Sequence, residues 1–428
     1  MTAKTILFMP ESAYGPTNNC IGIGHRLLER GHRVVFAAER SWAGRLEALG
    51  FEEDLVDLAP PPDPSDGEQD AGQFWTDFIR DTAPEFRKPT IEQLTTFVQP
   101  TWQALIDGAR YCQPQLQEII ERAKPDVIVE DNVNCFPALL TAGVPFVRMA
   151  SCNPLEVRGP DVPPVFSGYA SADRSGWDEF RAEYDRTHRP MWTEYDEWVR
   201  SCGAPGLPDL DFIHTSEHLN LYLYPEVADY TAARPLDRTW LRLDSSVRAT
   251  DATFQIPEQL RDRPGALIYL SLGSLGSADV ELMKRLVDVL GRTPHRYIVS
   301  KGPQADTYEL ADNMWGAQQV PQINVLPLCD LVITHGGNNT TTECFHFGKP
   351  MIVLPLFWDQ YDNAQRVHET GHGVRLDTYR FTDADMTGAI DRLLADSALR
   401  GKMADESVRI QARQGTVVAA EAIARVAG

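Results

Sequence analysis

No stretch of the 428-residue chain approaches 18 consecutive apolar residues, so no transmembrane helix is expected. The apolar run in the opening "MTAKTILFMPES" is too short for a signal peptide and reads as a first strand. Basic residues are scarce: Lys and Arg number 40 against 61 Asp and Glu, a formal net charge of −21. That sign argues against nucleic acid or an anionic membrane as partner, and any bound anion must be attracted by local dipoles and a few side chains. Seven cysteines are scattered with no C-x-x-C pair, which speaks against a zinc site or a disulfide framework and for reduced thiols in the cytoplasm. The G-x-G-x-x-G and G-x-x-x-x-G-K-[ST] spacings are also missing from the glycine-rich loops, so dinucleotide and P-loop chemistry are disfavoured.

What is present is two series of alternating strands and helices, the pattern of doubly wound α/β sheets. The first series has strands "TILFMP", "RVVFAAE", "DVIVED", "PFVRMA" and "LNLYLYP". Helical spacing marks "IGIGHRLLERGH" after a Gly/Pro/Asn loop, and "WAGRLEALG" reads as a helix closed by Gly50. Two long insertions interrupt it, one with Trp75, Phe78, Phe97 and Trp102, the other with Phe166, Trp177, Trp192 and Trp198. Insertions of this length carry function or local core. The second series has "ALIYLSLG", "RYIVS", a weak strand near "NMWGAQ", "LVITH", "MIVLPL" and a short "GVRLD". The expected domains are 1–225, a linker at 226–263, 264–405, and a C-terminal helix at 406–428 packing back on the first domain.

The chemistry concentrates where strands of the second series end. In "THGGNNTTTE", Gly336 and Gly337 allow a sharp turn and close approach to a ligand. The residues from Asn338 to Thr342 then open a helix, whose first N–H groups have no internal partner and suit a phosphate. His335 adds a donor, and Glu343 is placed to accept from sugar hydroxyls. The alternative is a capping box of Thr340 and Glu343 with His335 an ordinary turn residue. "LSLGSLGS" repeats the strand–glycine–helix pattern at Gly273 and Ser274; two such loops at one crevice suggest a diphosphate. In "LPLFWDQYDNA", Asp359 and Gln360 offer a carboxylate and an amide side by side, suited to reading hydroxyls or, for Asp359, to capping a helix.

From Val320 to Ala364 the sequence "VPQINVLPLCDLVITHGGNNTTTECFHFGKPMIVLPLFWDQYDNA" resembles the donor-binding signature of GT-B fold, family 1 nucleotide-sugar glycosyltransferases, of the bacterial macrolide and natural-product type. The resemblance implies two Rossmann-like domains facing across a cleft. It implies an enzyme, a hexosyltransferase that moves a hexose such as glucose from a UDP- or TDP-sugar, with inversion, to a small lipophilic acceptor. No metal and no cofactor beyond the nucleotide-sugar co-substrate is implied. His335 would contact a phosphate; Ser274, Asn339 and Thr340 would lie against the diphosphate; Glu343 would hold the ribose; Asp359 and Gln360 would read the sugar. Gly273, Val320, Gln322, Gly337 and Asn338 complete the implied donor set. Tyr14, Pro16, Trp75, Phe78 and Phe166 are the implied acceptor set.

Two departures matter. Gln319 stands where the family stacks an aromatic on the base, and Pro16 stands where it carries the catalytic histidine. A hydroxyl still needs a proton acceptor, and Asp131, Glu130 beside it, or Glu11 after the first strand are the expected replacements. The reading of Asp131 as a strand-end turn residue stays open here. So does a catalytically impaired nucleotide-sugar-binding accessory protein. A GT-B-like epimerase would need a set of acid–base carboxylates that is not evident.

Overall fold

The computed structural model describes residues 2–60, 77, 80–248 and 253–428, without the side chain of Ser274. Two parallel sheets organise it, each covered by helices, as expected for an α/β chain of two doubly wound halves. The first sheet has the order β3-β2-β1-β4-β5-β6-β7. Its strands are β1 (Thr5–Pro10), β2 (Arg33–Phe36), β3 (Glu52–Glu53), β4 (Val127–Asp131), β5 (Phe146–Ala150), β6 (Leu219–Tyr222) and β7 (Trp240–Arg242). The second has the order β10-β9-β8-β11-β12-β13. Its strands are β8 (Leu267–Ser271), β9 (Arg296–Ser300), β10 (Met314–Ala317), β11 (Leu331–Thr334), β12 (Met351–Val353) and β13 (Gly373–Arg375).

Strand order reverses between β1 and β4 in one sheet and between β8 and β11 in the other. At such a reversal the crossover helices diverge to opposite faces and leave a crevice at the carboxyl ends of the strands. The register places Pro10 beside Asp131 at the first reversal and Ser271 beside Thr334 at the second. Both crevices therefore open beside residues singled out above.

Helices follow the apolar spacing. The first, α1 (Tyr14–Leu28), buries Cys20, Ile23 and Leu27. Long helices α2 (Gln99–Ala123) and α3 (Trp177–Ser201) fill the two aromatic insertions. In the second half, α4 (Val280–Gly291) buries Leu282, Met283, Leu286, Val289 and Leu290, a one-sided stripe at helical spacing. Two helices open from the crevice loops, α5 (Asn338–His346) and α6 (Gln360–Glu369). Then α7 (Asp383–Ala395), opened by a Thr382/Asp385 capping box, leads to α8 (Ser397–Arg413) and α9 (Gly415–Val426). The last helix returns to the first half: Ala419, Ala420 and Ile423 share a core cluster with Ile23, Leu27 and Leu221.

Three local expectations change. "WAGRLEALG" forms 3-10 turns at Arg40–Trp42 and Glu47–Leu49, not a helix, although Gly50 does close it with φ 88°. Trp42 is buried there, and its indole N–H donates to Ser12 O, so tertiary packing overrides helical propensity. The Gly/Pro/Asn loop after β1 is already helix from Tyr14, with Pro16 in the first turn, where the missing N–H costs nothing. The stretch read as linker contributes β7, paired to β6 through Asn220↔Trp240, Leu221↔Leu241 and Tyr222↔Arg242.

Candidate active site

The side expected to hold the donor is built from the ends of β8 and β11. The chain leaves β8 through Gly273 at φ +74°, and leaves β11 through His335 and Gly336 into α5. The His335 ring lies between two glycines from different loops. A Cβ on Gly273 would stand 2.8 Å from its Cε1 and Nε2, and one on Gly337 would stand 2.5 Å from Nε2. Any side chain at either position would drive the ring out. Burial lowers the His335 pKa to about 4, against a hydrogen bond to the Ser271 backbone, so the imidazole is neutral at pH 7 and carries a single N–H.

Gly337 precedes α5, and no side chain caps that helix, so the Thr340/Glu343 capping box does not form. The two side chains instead face Gln322, whose Nε2 donates to Thr340 Oγ1 at 3.1 Å and to Glu343 Oε2 at 2.6 Å. Tyr269 OH donates to the Gln322 oxygen at 3.2 Å and orients the amide. Burial raises the Glu343 pKa, against the Gln322 hydrogen bond and the Arg248 charge. Val320 packs at the edge of the core, and Gln319 is exposed. Ser274 falls in the short helix after β8, and its side chain lies outside the described residues.

The loop after β12 brings in Asp359 and Gln360. Gln360 turns its oxygen inward, accepting from Leu356 N at 3.0 Å and Phe357 N at 3.3 Å. Asp359 precedes α6 without capping it; Oδ2 accepts from Asn363 Nδ2 at 3.1 Å. Burial, with the Asp362 charge, raises its pKa well above the usual carboxylate range. Trp358, just before it, holds φ +55°, a left-handed conformation rare outside glycine.

The facing side is built from β1, β4 and β5. Asp131 is 2% exposed at the end of β4. Its Oδ1 accepts from Ser151 Oγ at 2.7 Å, and the Cys20 thiol points at Oδ2 from 4.0 Å. Burial, joined by the charges of Glu156 and Glu11, pushes its pKa well up. Glu11 is half-buried nearby; burial raises its pKa too, against hydrogen bonds from Ala13 N–H and Ser12. Glu130 does not join them. Neighbouring residues of a strand point to opposite faces, and Glu130 points into the core, where it feels Cys112, Cys135 and Tyr195. It is fully buried with no hydrogen bond of good geometry to either oxygen, and burial raises its pKa well up.

Of the residues expected at the acceptor, Pro16 is half-buried in the first turn of α1. Tyr14 is 40% exposed, tilted against Trp42 at 5.3 Å, its hydroxyl accepting from Arg45 at 2.6 Å. Phe166 is buried at φ +69°, with its ring 4.3 Å from Trp358 and 6.4 Å from Trp102. Trp75 and Phe78 lie outside the described residues.

The two sides touch. Asn338 Nδ2 donates to Ser151 O at 2.5 Å, and Asn339 Nδ2 donates to Gly15 O at 3.1 Å. Ser151 is thus held at both ends, by Asp131 through its hydroxyl and by the N-terminus of α5 through its carbonyl. Sequence reasoning did not single out Ser151. It follows β5 directly, next to the β1/β4 reversal, and its place at the carboxyl end of a strand there was the available signal. Cys20, one turn beyond Pro16 on α1, had no such signal.

Comparison with known proteins follows the same lines. Residues 284–419 match the family described as Erythromycin biosynthesis protein CIII-like, C-terminal domain. The chain is 24% identical over 396 residues to the NDP-glycosyltransferase YjiC of Bacillus subtilis (strain 168), covering 91% of this chain and 89% of that protein. It is 26% identical over 396 residues to the oleandomycin glycosyltransferase of Streptomyces antibioticus, covering 89% and 82%. Among solved structures, the glycotransferase of kitacinnamycin superposes with a TM-score of 0.71 at 21% identity over 100% of both chains. The spinosyn rhamnosyltransferase SpnG complexed with thymidine diphosphate gives 0.60 at 20% identity over 95% and 96%.

Proposed function

We propose that this GT-B glycosyltransferase of natural-product type is an inverting, metal-independent hexosyltransferase. Its donor is a UDP- or TDP-hexose, with glucose the first sugar to try, and its acceptor is a hydroxyl, phenol or amine of a small lipophilic molecule. The seven free thiols suit a cytoplasmic enzyme.

The observation that carries this reading is the double engagement of Ser151. It sets a buried carboxylate, Asp131, across one residue from a helix N-terminus suited to a diphosphate. In a single displacement the acceptor oxygen attacks the anomeric carbon as its proton passes to Asp131, and the carbon–oxygen bond to the diphosphate breaks on the opposite face. Asp131 takes the proton that a histidine at the Pro16 position would have taken. Burial raises its pKa, which makes the carboxylate a stronger proton acceptor than a solvated one. Glu11, whose charge acts on Asp131, is the second carboxylate proposed for the proton. Glu130, on the other face of the sheet, is given no role.

Charge developing on the leaving diphosphate meets the first N–H groups of α5, the neutral His335 and the glycine turn at Gly273. Gln322 and Glu343, already hydrogen-bonded to each other, are set to hold the ribose hydroxyls. Asp359 and the amide NH₂ of Gln360, whose oxygen is taken by the Leu356 and Phe357 N–H groups, are assigned to the sugar. With Gln319 in place of an aromatic, the base is bound without stacking there. The thymidine diphosphate held by SpnG supports TDP as a donor nucleotide to test beside UDP.

The test is incubation with UDP-glucose and with TDP-glucose, each with a panel of phenols and polyketides. Mass spectrometry should find a product gain of about 162 Da, one hexose residue. Donor binding with neither product nor nucleotide release would assign the chain to nucleotide-sugar binding alone and overturn this reading.

A further inference from the structure

The loop between β5 and α3 belongs to the first half, yet its backbone is held by the second. Asp362, one turn along α6 from Asp359, is 1% exposed. Its Oδ2 accepts from Phe166 N–H at 2.6 Å and its Oδ1 from Gly168 N–H at 2.9 Å. From β13, Arg375 Nη1 donates to Gly168 O at 2.7 Å and to Gln365 Oε1 at 3.0 Å, which ties the same loop to α6 a second time. Within the first half, Thr90 Oγ1 donates to Ser167 O at 2.8 Å.

The loop is shaped for this contact. Phe166 holds φ +69° and Gly168 φ +62°, and a Cβ on Gly168 would stand 2.8 Å from Tyr361 Cβ. A left-handed non-glycine residue persists only where its surroundings over-determine it. Here the over-determination comes from the partner half. Its consequence is the placement of the Phe166 ring, 4.3 Å from Trp358, which immediately precedes Asp359. The carboxylate that organises the loop is therefore on the helix that begins at the proposed sugar-reading pair.

We propose that Asp362 is a positioning residue that clamps the loop around Phe166–Gly168 to α6, so that the acceptor wall and the sugar-reading loop form one surface across the two halves. Its kinetic consequence rests on the transferase reading above; the clamp itself does not. Each of the two N–H donors is met by a separate oxygen of the carboxylate. Asparagine supplies one oxygen and turns an NH₂ toward the other N–H; alanine supplies nothing. Burial raises the Asp362 pKa to about 7 against the pull of both N–H groups and Arg375, which marks how much desolvation these bonds overcome.

The experiment compares the full-length wild type with Asp362→Asn and Asp362→Ala, each first checked for a cooperative melt. Hydrogen–deuterium exchange at the Phe166 and Gly168 amides reads the clamp directly. Calorimetry with UDP-glucose reads donor affinity, and steady-state kinetics read the acceptor. Exchange at both amides should speed up about tenfold or more in Asp362→Ala, the change that loss of one charge-assisted hydrogen bond produces. Acceptor KM should rise about tenfold while donor Kd stays within about threefold. Unchanged exchange at the two amides overturns the clamp. Donor Kd and acceptor KM worsening by the same factor overturns the positioning role, because general loosening affects both. If the wild type transfers no sugar, the transferase reading fails while the exchange arm still decides the clamp.

Discussion

Replacing Asp131 with asparagine separates catalysis from stability in a way the structure fixes in advance. Asparagine is the same shape, and its amide oxygen can keep the 2.7 Å hydrogen bond from Ser151 Oγ. Its NH₂ would then face the Cys20 thiol, now 4.0 Å from Oδ2. What it cannot do is take a proton. Removing a general base lowers turnover by about 10²–10⁴, or about 2.7–5.5 kcal/mol of barrier. The stability change has the opposite sign. The folded pKa of Asp131 is raised, chiefly by burial, so its contribution to stability is fullest below the unfolded value of about 3.9 and is lost as pH rises toward the folded value. Above that, the wild type holds a buried charge at a cost that asparagine does not have. The variant should therefore melt at the same temperature or higher at pH 8. The assay is initial rates with UDP-glucose and an alcohol acceptor, with donor affinity by calorimetry and melting by scanning calorimetry. The loss should shrink with acidic phenols, which need less help from a base. Turnover within about threefold of wild type would falsify the role of Asp131 as base. A loss of rate matched by an equal loss of donor affinity would equally remove it, by making the site a binding element.

Gly273→Ala meets both a left-handed backbone, at roughly 1–2 kcal/mol, and the His335 ring at 2.8 Å. Affinity for UDP-glucose, by calorimetry, should fall about tenfold or more, and an unchanged Kd would place the diphosphate elsewhere. The pH dependence of His335 has a definite sign. Its pKa is lowered to about 4 from about 6.5, so it contributes stability above pH 6.5 that is lost as pH falls toward 4. The wild-type minus His335→Asn difference in urea stability should show that slope, and a bound nucleoside diphosphate, which favours the imidazolium, should flatten it. Ile423→Ala, in the core cluster that joins α9 to α1, should cost about 2–5 kcal/mol of unfolding free energy in urea titrations. A cost under about 1 kcal/mol would mean that the last helix docks by other contacts.

Much of the architecture was legible because its signals are local. Apolar runs bounded by glycine and proline marked the strands, including the weak ones at Met314–Ala317 and Gly373–Arg375. The glycines after β8 and β11, and the unpartnered N–H groups that open α5, follow from backbone sterics and helix geometry, which need no distant partner. Hence the fold class and two glycine loops at one crevice were expected from the sequence, while their meeting on the His335 ring came from the pairing of β8 with β11. Where local signals competed with packing, packing won. The stretch after β2 became 3-10 turns around buried Trp42, and Trp240–Arg242 left the linker for a sheet edge. Glu130 and Asp131 were both expected as bases; as neighbours in one strand they face opposite ways, and which of them faces the cleft came from the placement of β4 against β1 and the helices. The bond from Asn338 to Ser151 and the two bonds from Phe166 and Gly168 to Asp362 join residues 187, 196 and 194 positions apart. Such contacts leave no periodicity in a chain, because they depend on how the two sheets are brought face to face. Residue spacing can record what a backbone does with its neighbours, and only assembly of the halves settles which distant groups meet.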